Sequence, residues 1–417
     1  MDKIVVQKSE PLKGEVTTSG AKNAALPIIF GSLLGTGKFH LSNVPRLRDI
    51  QSTKDLMESL GSRIVQDNNE LIIDVPEKLE TLAHYDLVRK MRASILCLGP
   101  LLGRMGEAKV SLPGGCAIGA RPINFHLDAL KKMGAKIEVK DGYVEAKAKK
   151  LTGCKIQFPF ASVGGTENIV MAACLADGET IIENAAREPE IIDHINFLKK
   201  MGAQIVGEGT SCIKIKGVDS LSAVEHEIIP DRIEAGTLLV AGAISKGQVR
   251  VNKCRPDHLT SLLECFVKAG FTIEQDSTSV SLSSPQSIKP VSIITAPHPG
   301  FATDLQAQWM TLMTQADGNS EINEAVFENR FMHVQELARM NANIDVSGQS
   351  ATIIGAPGSL RGAPVMATDL RASASLVLAG LVAEGETSVQ RVYHLDRGYE
   401  NLELKLSSLG GRVQRIK

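Results

Sequence analysis

The sequence predicts an α/β protein of two domains, each assembled from three repeats of about 70 residues, six repeats in all. Three observations carry that prediction. A helix end, a turn and a strand recur, with the turn residue at Gly61, Gly134, Gly202, Gly270, Asn341 and Gly410. An apolar helix, a glycine turn and an alternating strand also recur, with the glycine at Gly37, Gly106, Gly178, Gly247, Gly318 and Gly385. The two series interleave, so each repeat reads strand, helix, strand, helix, strand, strand. A unit of this size is too small to be stable alone, and six of them fall into two groups of three. The expected domains are 21–229 and, drawn from both ends of the chain, 1–20 with 230–417. The opening strand is assigned to the second domain because the sixth repeat stops at Lys417 one strand short. A binding cleft between two such domains is the default site.

Each phrase has a physical reading. Leu-Met-Glu-Ser-Leu-Gly-Ser-Arg-Ile at 56–64 and Leu-Lys-Lys-Met-Gly-Ala-Gln-Ile at 198–205 end helices at a residue that tolerates the left-handed C-cap conformation. Met-Ala-Ala-Cys-Leu-Ala-Asp-Gly-Glu-Thr-Ile-Ile-Glu-Asn at 171–184 is the clearest copy of the second phrase. Its helix is apolar all round and its strand alternates with period two.

One segment stands outside the repeat. Residues 111–122 read Ser-Leu-Pro-Gly-Gly-Cys-Ala-Ile-Gly-Ala-Arg-Pro. Two prolines bracket three glycines, which excludes a regular helix or a central strand and displays Cys116 on a loop. Loops of this kind can close over a site, and Arg121 can shift a nearby thiol toward thiolate. The competing reading is an incidental surface thiol.

Composition narrows the function. The chain has 417 residues, 46 basic and 47 acidic, so its formal charge is −1, and aromatics make up 4%. Near-balanced charge argues against binding nucleic acid through its backbone, and scarce aromatics argue against stacking on single strands. No apolar run reaches the roughly 18 residues of a membrane helix, and the N-terminus reads as a strand rather than a signal region. The seven cysteines are irregularly spaced and include no Cys-x-x-Cys. Cys97 and Cys174 lie in apolar helical runs and read as small buried hydrophobes. A cytoplasmic protein with no disulfide, metal or cofactor is expected, with no membrane insertion and no obligate protein partner.

The apolar helices open with small and polar residues, at 19–25, 91–94, 164–168, 232–237, 303–308 and 369–374. Helix N-termini attract anions, yet three of these openings add a cation, Lys22, Arg92 and Arg371, against the helix dipole. An anion site explains that pattern better than solvated surface charge. Arg46, Arg48, Arg121, Arg187, Arg330 and Arg397 stand in loop-like contexts, where a guanidinium can fork onto carboxylate or phosphate. Asp304 is the acidic exception, either an N-cap or a base facing the cleft.

Six segments together resemble one family. They are Ser-Gly-Ala-Lys-Asn-Ala-Ala-Leu at 19–26, Leu-Pro-Gly-Gly-Cys-Ala-Ile-Gly-Ala-Arg-Pro at 112–122 and Glu-Asn-Ala-Ala-Arg-Glu-Pro-Glu at 183–190, with Phe-Glu-Asn-Arg-Phe at 327–331, Ala-Thr-Asp-Leu-Arg-Ala-Ser at 367–373 and His-Leu-Asp-Arg-Gly-Tyr-Glu at 394–400. The chain resembles the UDP-N-acetylglucosamine enolpyruvyl transferases from its first strand to its last helix. The resemblance implies two inside-out α/β barrels of three repeats each. It implies transfer of the enolpyruvyl group of phosphoenolpyruvate to the 3′-hydroxyl of UDP-N-acetylglucosamine, the first committed step of peptidoglycan precursor synthesis. By the same resemblance Lys22, Arg121 and Arg397 hold the phosphate-bearing substrate, Lys22 and Arg397 count as catalytic with Cys116 and Asp304, Asn23 is substrate-binding, and Arg330 and Arg371 help around the carboxylate and the closed cleft. Arg92, the run Arg121, Pro122, Ile123, Asn124 and Phe125, the run Ser162, Val163 and Gly164, Asp304 and Val326 line the sugar-nucleotide site. Cys116 is implied as proton donor and as the target of the epoxide fosfomycin. The family often has lysine at Arg48, a change that keeps the charge. Transfer to shikimate 3-phosphate is the rival reading, and the Pro-Gly-Gly-Cys loop argues against it. A sugar-nucleotide sensor without catalysis is the other, and the presence of Lys22, Cys116 and Asp304 argues against that.

Overall fold

The computed structural model describes residues 2–112 and 123–417. The chain forms two compact units. The first described here holds residues 20–112 and 123–229, the second residues 2–19 and 230–417.

In each unit three helices are buried on nearly every side. They are Lys22–Gly31, Leu98–Met105 and Val163–Ala173 in one unit, and Arg232–Ile244, Gln306–Met313 and Leu370–Gly380 in the other. Most of their residues are apolar or small and lie inside, although Leu98–Met105 leaves Gly103, Arg104 and Met105 partly exposed at its end. A second set, including Arg48–Ser59, Asn124–Lys132, Pro189–Lys200 and Thr260–Lys268, is amphipathic and buries one stripe only. Sheets complete each unit, which is the inside-out barrel arrangement. Each unit has its own apolar core, one running from Ala21 to Ile228 and the other from Ile4 to Leu409.

All six sheets follow one grammar. In the third repeat the strand Lys155–Gln157 runs parallel to Glu179–Glu183, which pairs antiparallel with Cys212–Lys216, and that pairs antiparallel with Gln204–Val206. The Val163–Ala173 helix makes the parallel crossover, as a parallel pair requires. The chain ends are shared out to complete this pattern. Lys3–Gln7 pairs with Glu386–Gln390 and Arg412–Ile416, taking the missing last place of the sixth repeat. Lys13–Thr17 pairs parallel to Gln248–Asn252 and opens the fourth. The opening strands of the first repeat are Leu221–Ser222 and Glu225–Glu227, which pair with Gly35–Ser42. The sequence pattern did not show the last two assignments.

The six helix-ending turn residues, Gly61 to Gly410, all have positive φ, from 68° at Asn341 to 111° at Gly202. The second series holds at five positions and departs at Gly247. There the left-handed residue is Lys246, at φ 55°. Gly247 is required for a different reason, because a Cβ on it would lie 2.1 Å from the Leu12 carbonyl oxygen. The added N-terminal strand passes too close for any side chain.

Candidate active site

The charged helix starts lie where the openings placed them. Lys22 is the first residue of its helix, Arg92 opens the 3-10 turn Arg92–Cys97 that leads into Leu98–Met105, and Arg371 is the second residue of Leu370–Gly380. Arg232 is a fourth such cation, at the first position of Arg232–Ile244, which a count of three omitted. Asp231 caps that helix, its carboxylate accepting from the N–H groups of Ile233 and Glu234. Two basic residues expected in loops lie in elements instead. Arg48 begins the helix Arg48–Ser59 and Arg397 ends the 3-10 helix Val392–Arg397.

In the first unit Lys22 is buried and its Nζ lies 3.3 Å from Asp49 Oδ2. Asn23 follows it, and Pro27 has no N–H to offer the Asn23 carbonyl four residues before it. A separate set gathers around one histidine. Ile123, Asn124 and Phe125 start the helix Asn124–Lys132, and Phe125 packs edge-on against Phe160 at 4.7 Å between ring centres. Ser162 caps the helix that begins with Val163 and Gly164, its hydroxyl accepting from Gly165 N–H. His126 links these starts. Its Nδ1 lies 2.9 Å from Asn168 Nδ2, and a Cβ on Gly164 would touch its ring. Asn168 also donates to the Ile95 carbonyl at 3.1 Å and accepts from Gly99 N–H at 2.7 Å. Burial, and then the charge of Arg92, push His126 down to about 4. It is therefore neutral, and because the Asn168 amide donates to Nδ1, the proton sits on Nε2.

In the second unit the charges form one cluster. Asp304 Oδ1 accepts from Arg330 Nη2 at 2.7 Å, and Oδ2 accepts from Arg371 Nη2 at 2.8 Å and Nε at 3.1 Å. Both arginines are almost fully buried while a quarter of the aspartate side chain remains exposed. Burial opposes ionisation of Asp304, but Arg371 and then Arg330 outweigh it and hold the carboxyl well below its ordinary range. The N-cap reading of Asp304 is thereby corrected. Ala302 occupies the cap position, and the carboxylate turns to the arginines instead. Asp369 caps the Arg371 helix, accepting from Arg371 N–H at 2.7 Å and Ala372 N–H at 3.0 Å. Behind Arg371 lies Tyr399, its ring centre 5.3 Å from the guanidinium carbon. The Tyr399 hydroxyl meets Thr237 at 2.9 Å and Gln308 Nε2 at 3.1 Å. Val326 is held by its backbone, whose N–H donates to Glu324 at 3.0 Å.

Cys116, Arg121 and Pro122 lie outside the described residues. Asp49, His126, Asn168, Glu324 and Tyr399 were not singled out from sequence. None carries a local signal, because each acts on a partner brought by another element. No group of three or more metal-ligating side chains occurs among the described residues. Nor is any helix among them long and apolar enough to cross a membrane.

Six αβ repeats with basic helix starts and an arginine-held carboxylate are the features that place the chain in a class of α/β repeat proteins. Known proteins refine it. The family model for EPSP synthase (3-phosphoshikimate 1-carboxyvinyltransferase) matches residues 6–406. A UDP-N-acetylglucosamine 1-carboxyvinyltransferase of Bdellovibrio bacteriovorus is 58% identical over 416 residues, 99% of this chain and all of the relative. The enzyme of that name from Geobacter metallireducens is 52% identical over the whole of both chains. The solved enolpyruvyl transferase NikO from Streptomyces tendae superposes with a TM-score of 0.90 at 24% identity, over 99% of this chain and 98% of that one. EPSP synthase from Acinetobacter baumannii superposes at 0.79 and 18% identity over all of both chains. These two share the fold. The chain belongs to the EPSP synthase family and, within it, to the UDP-N-acetylglucosamine 1-carboxyvinyltransferases.

Proposed function

We propose that the protein transfers the enolpyruvyl group of phosphoenolpyruvate to the 3′-hydroxyl of UDP-N-acetylglucosamine and releases phosphate. The observation that carries this reading is the 52–58% identity, over full length, to enzymes named for that acceptor. The reaction adds the hydroxyl oxygen to C2 of phosphoenolpyruvate as a proton goes to the C3 methylene. Loss of phosphate and of one proton from the new methyl group then restores the double bond.

Cys116 supplies the proton to C3 in this scheme. Other thiols support that assignment by their own chemistry, since burial pushes Cys97 and Cys174 up to about 12 and Cys254 and Cys265 to about 11. Asp304 takes or guides the hydroxyl proton. A carboxylate held this low is a weak base toward a free alcohol. It suffices once C–O bond formation has made that proton strongly acidic, and it stays ionised at every working pH. Lys22, Asn23, Arg121 and Arg397 hold the phosphate, and Arg330 and Arg371 face the carboxylate. Arg92, Pro122 to Phe125, Ser162 to Gly164 and Val326 receive the sugar nucleotide, with His126 ordering the two helix starts. Residues 21–229 and 1–20 with 230–417 are read as two enolpyruvyl-transferase domains. The product feeds peptidoglycan synthesis in the cytoplasm, and hence cell-wall biogenesis, cell shape and division.

Phosphate release from phosphoenolpyruvate tests the reading, with UDP-N-acetylglucosamine and shikimate 3-phosphate as rival acceptors and no metal added. Release that depends on the sugar nucleotide is expected. Equal turnover with shikimate 3-phosphate would reject the acceptor.

A further inference from the structure

Glu324 is only 1% exposed, and its carboxylate has a partner on every side. Oε1 accepts from the Thr295 hydroxyl at 2.9 Å and from the N–H groups of Val326 at 3.0 Å and Phe327 at 3.1 Å. Oε2 accepts from the Thr303 hydroxyl at 2.8 Å. That hydroxyl in turn accepts from Arg330 Nη1 at 3.1 Å, while Arg330 Nη2 reaches Asp304 at 2.7 Å. A guanidinium can only donate, and a hydroxyl has one hydrogen to give. The direction of the chain is therefore fixed. Arg330 gives to Thr303, and Thr303 gives to Glu324.

We propose that Glu324, acting through Thr303, is a positioning residue for the Arg330–Asp304 pair. Its role depends on the acceptor polarity of Oε2, not on the shape of the side chain. The proposal rests on the roles given above to Asp304 and Arg330. The plainer alternative is that Glu324 only folds the 324–327 loop around Val326, through the bonds at Oε1.

Glu324→Gln separates the two. Its amide oxygen can replace Oε1 and keep the loop bonds. Its NH₂ group then faces the Thr303 oxygen, which already receives Arg330, and the hydroxyl hydrogen loses its acceptor. Arg330 or the amide has to give way. Steady-state turnover of phosphoenolpyruvate with UDP-N-acetylglucosamine should show kcat lowered ~10–100-fold, the scale of a small misplacement near reacting groups, with KM for the sugar nucleotide changed less than about twofold. Thr303→Val should fall as far, Thr303→Ser should recover most of the loss, and Glu324→Gln with Thr303→Val should be no worse than Thr303→Val alone. Asp304→Asn is the reference. If it matches wild type, the role of Asp304 is wrong and the proposal goes with it. If Asp304→Asn is impaired while Glu324→Gln and Thr303→Val turn over normally, the proposal alone fails. A raised KM with unchanged kcat in Glu324→Gln, or equal losses in Thr303→Ser and Thr303→Val, overturns it as well. Should Glu324→Gln not fold, the two Thr303 variants decide.

Discussion

The second repeat of each unit opens its buried helix with a 3-10 turn, Arg92–Cys97 in one and Thr303–Leu305 in the other, yet the two turns do opposite things with charge. At Thr303–Leu305 a carboxylate is clamped by two buried arginines, with Glu324 joined to one of them through Thr303 and Asp369 capping the helix of the other. At Arg92–Cys97 an arginine stands beside a histidine kept neutral, among an asparagine, backbone carbonyls and N–H groups. One unit assembles an ion cluster before any substrate arrives. The Arg92–Cys97 turn of the other offers a neutral polar frame with a cation at its edge, apart from the Lys22–Asp49 pair elsewhere in that unit. In the proposed reaction the first suits a carboxylate or phosphate, and the second suits the amide and hydroxyl groups of a sugar nucleotide.

The largest expected effect tests whether the cluster is the chemical half. Asp304→Ala should lower turnover ~10²–10⁴-fold, the range for losing a general base. It should also cost on the order of 3–5 kcal/mol of stability, because Arg330 and Arg371 stay buried without the carboxylate between them. Asp49→Ala in the other unit removes the carboxylate whose Oδ2 lies 3.3 Å from Lys22 Nζ, and it leaves no pair of buried arginines behind. Its loss of turnover should be about tenfold or less, the scale of one charge-assisted bond. Phosphate release and thermal unfolding of both variants check this. Equal losses would erase the contrast.

Much of this was written locally. The turn residues Gly61 to Gly410 announce themselves because a left-handed C-cap tolerates few residue types, and the buried helices because apolar and small residues dominate them. Lys22, Arg92 and Arg371 were visible because a cation at a helix start is unfavourable without a purpose. The partners were not visible. Glu324 and Thr303 are 21 residues apart and Asn168 and His126 are 42 apart, so only tertiary packing pairs them. Gly247 marks the same boundary. As a glycine it reads as a turn, and only the backbone at Leu12, just before the strand Lys13–Thr17, shows that it is a close approach. Strands of two residues, such as Leu221–Ser222, carry too little pattern to be assigned to a sheet.

The units also differ in how they bury glutamate, which gives a prediction of unequal size. Glu234 lies in the second unit, where Lys405 Nζ reaches it at 2.6 Å and Ser19 N–H donates to it at 2.6 Å. Burial raises Glu234, with Lys405 pulling it back. Glu167 lies in the first unit, where burial and then Glu190 and Glu188 raise it well above the ordinary range. A carboxyl raised on folding binds its proton more tightly in the native state. Its contribution is present below its unfolded value and is lost as pH rises toward its folded one. Glu167→Gln should therefore raise the melting temperature by a few degrees at pH 8 and do little at pH 4. Glu234→Gln should raise it less at pH 8, because Lys405 and the Ser19 N–H already offset part of the burial of Glu234. Melting curves at the two pH values decide, and equal shifts in both variants would refute the distinction.

The last test concerns the neutral frame itself. His126 is held at about 4 against an ordinary 6.5, by burial and then by Arg92. Between those values the unfolded chain carries the proton and the folded unit does not. Stability therefore rises with pH across that window and is lost as pH falls from 6.5 toward 4. The full amplitude for one such group is on the order of 3 kcal/mol. His333, beside Arg330 in the other unit, is also pushed to about 4, by burial and Arg330 and against the pull of Asp369. His194 goes to about 3 through burial and His226. The wild-type curve alone therefore cannot be assigned to His126, and the difference curve is the measurement. Chemical denaturation of wild type and His126→Gln at half-unit steps from pH 4 to 7 should give a gap that is widest at neutral pH and narrows with acidification. A gap that stays constant across the window would mean that His126 is not held neutral by its surroundings, and the contrast between the two turns would lose its second half.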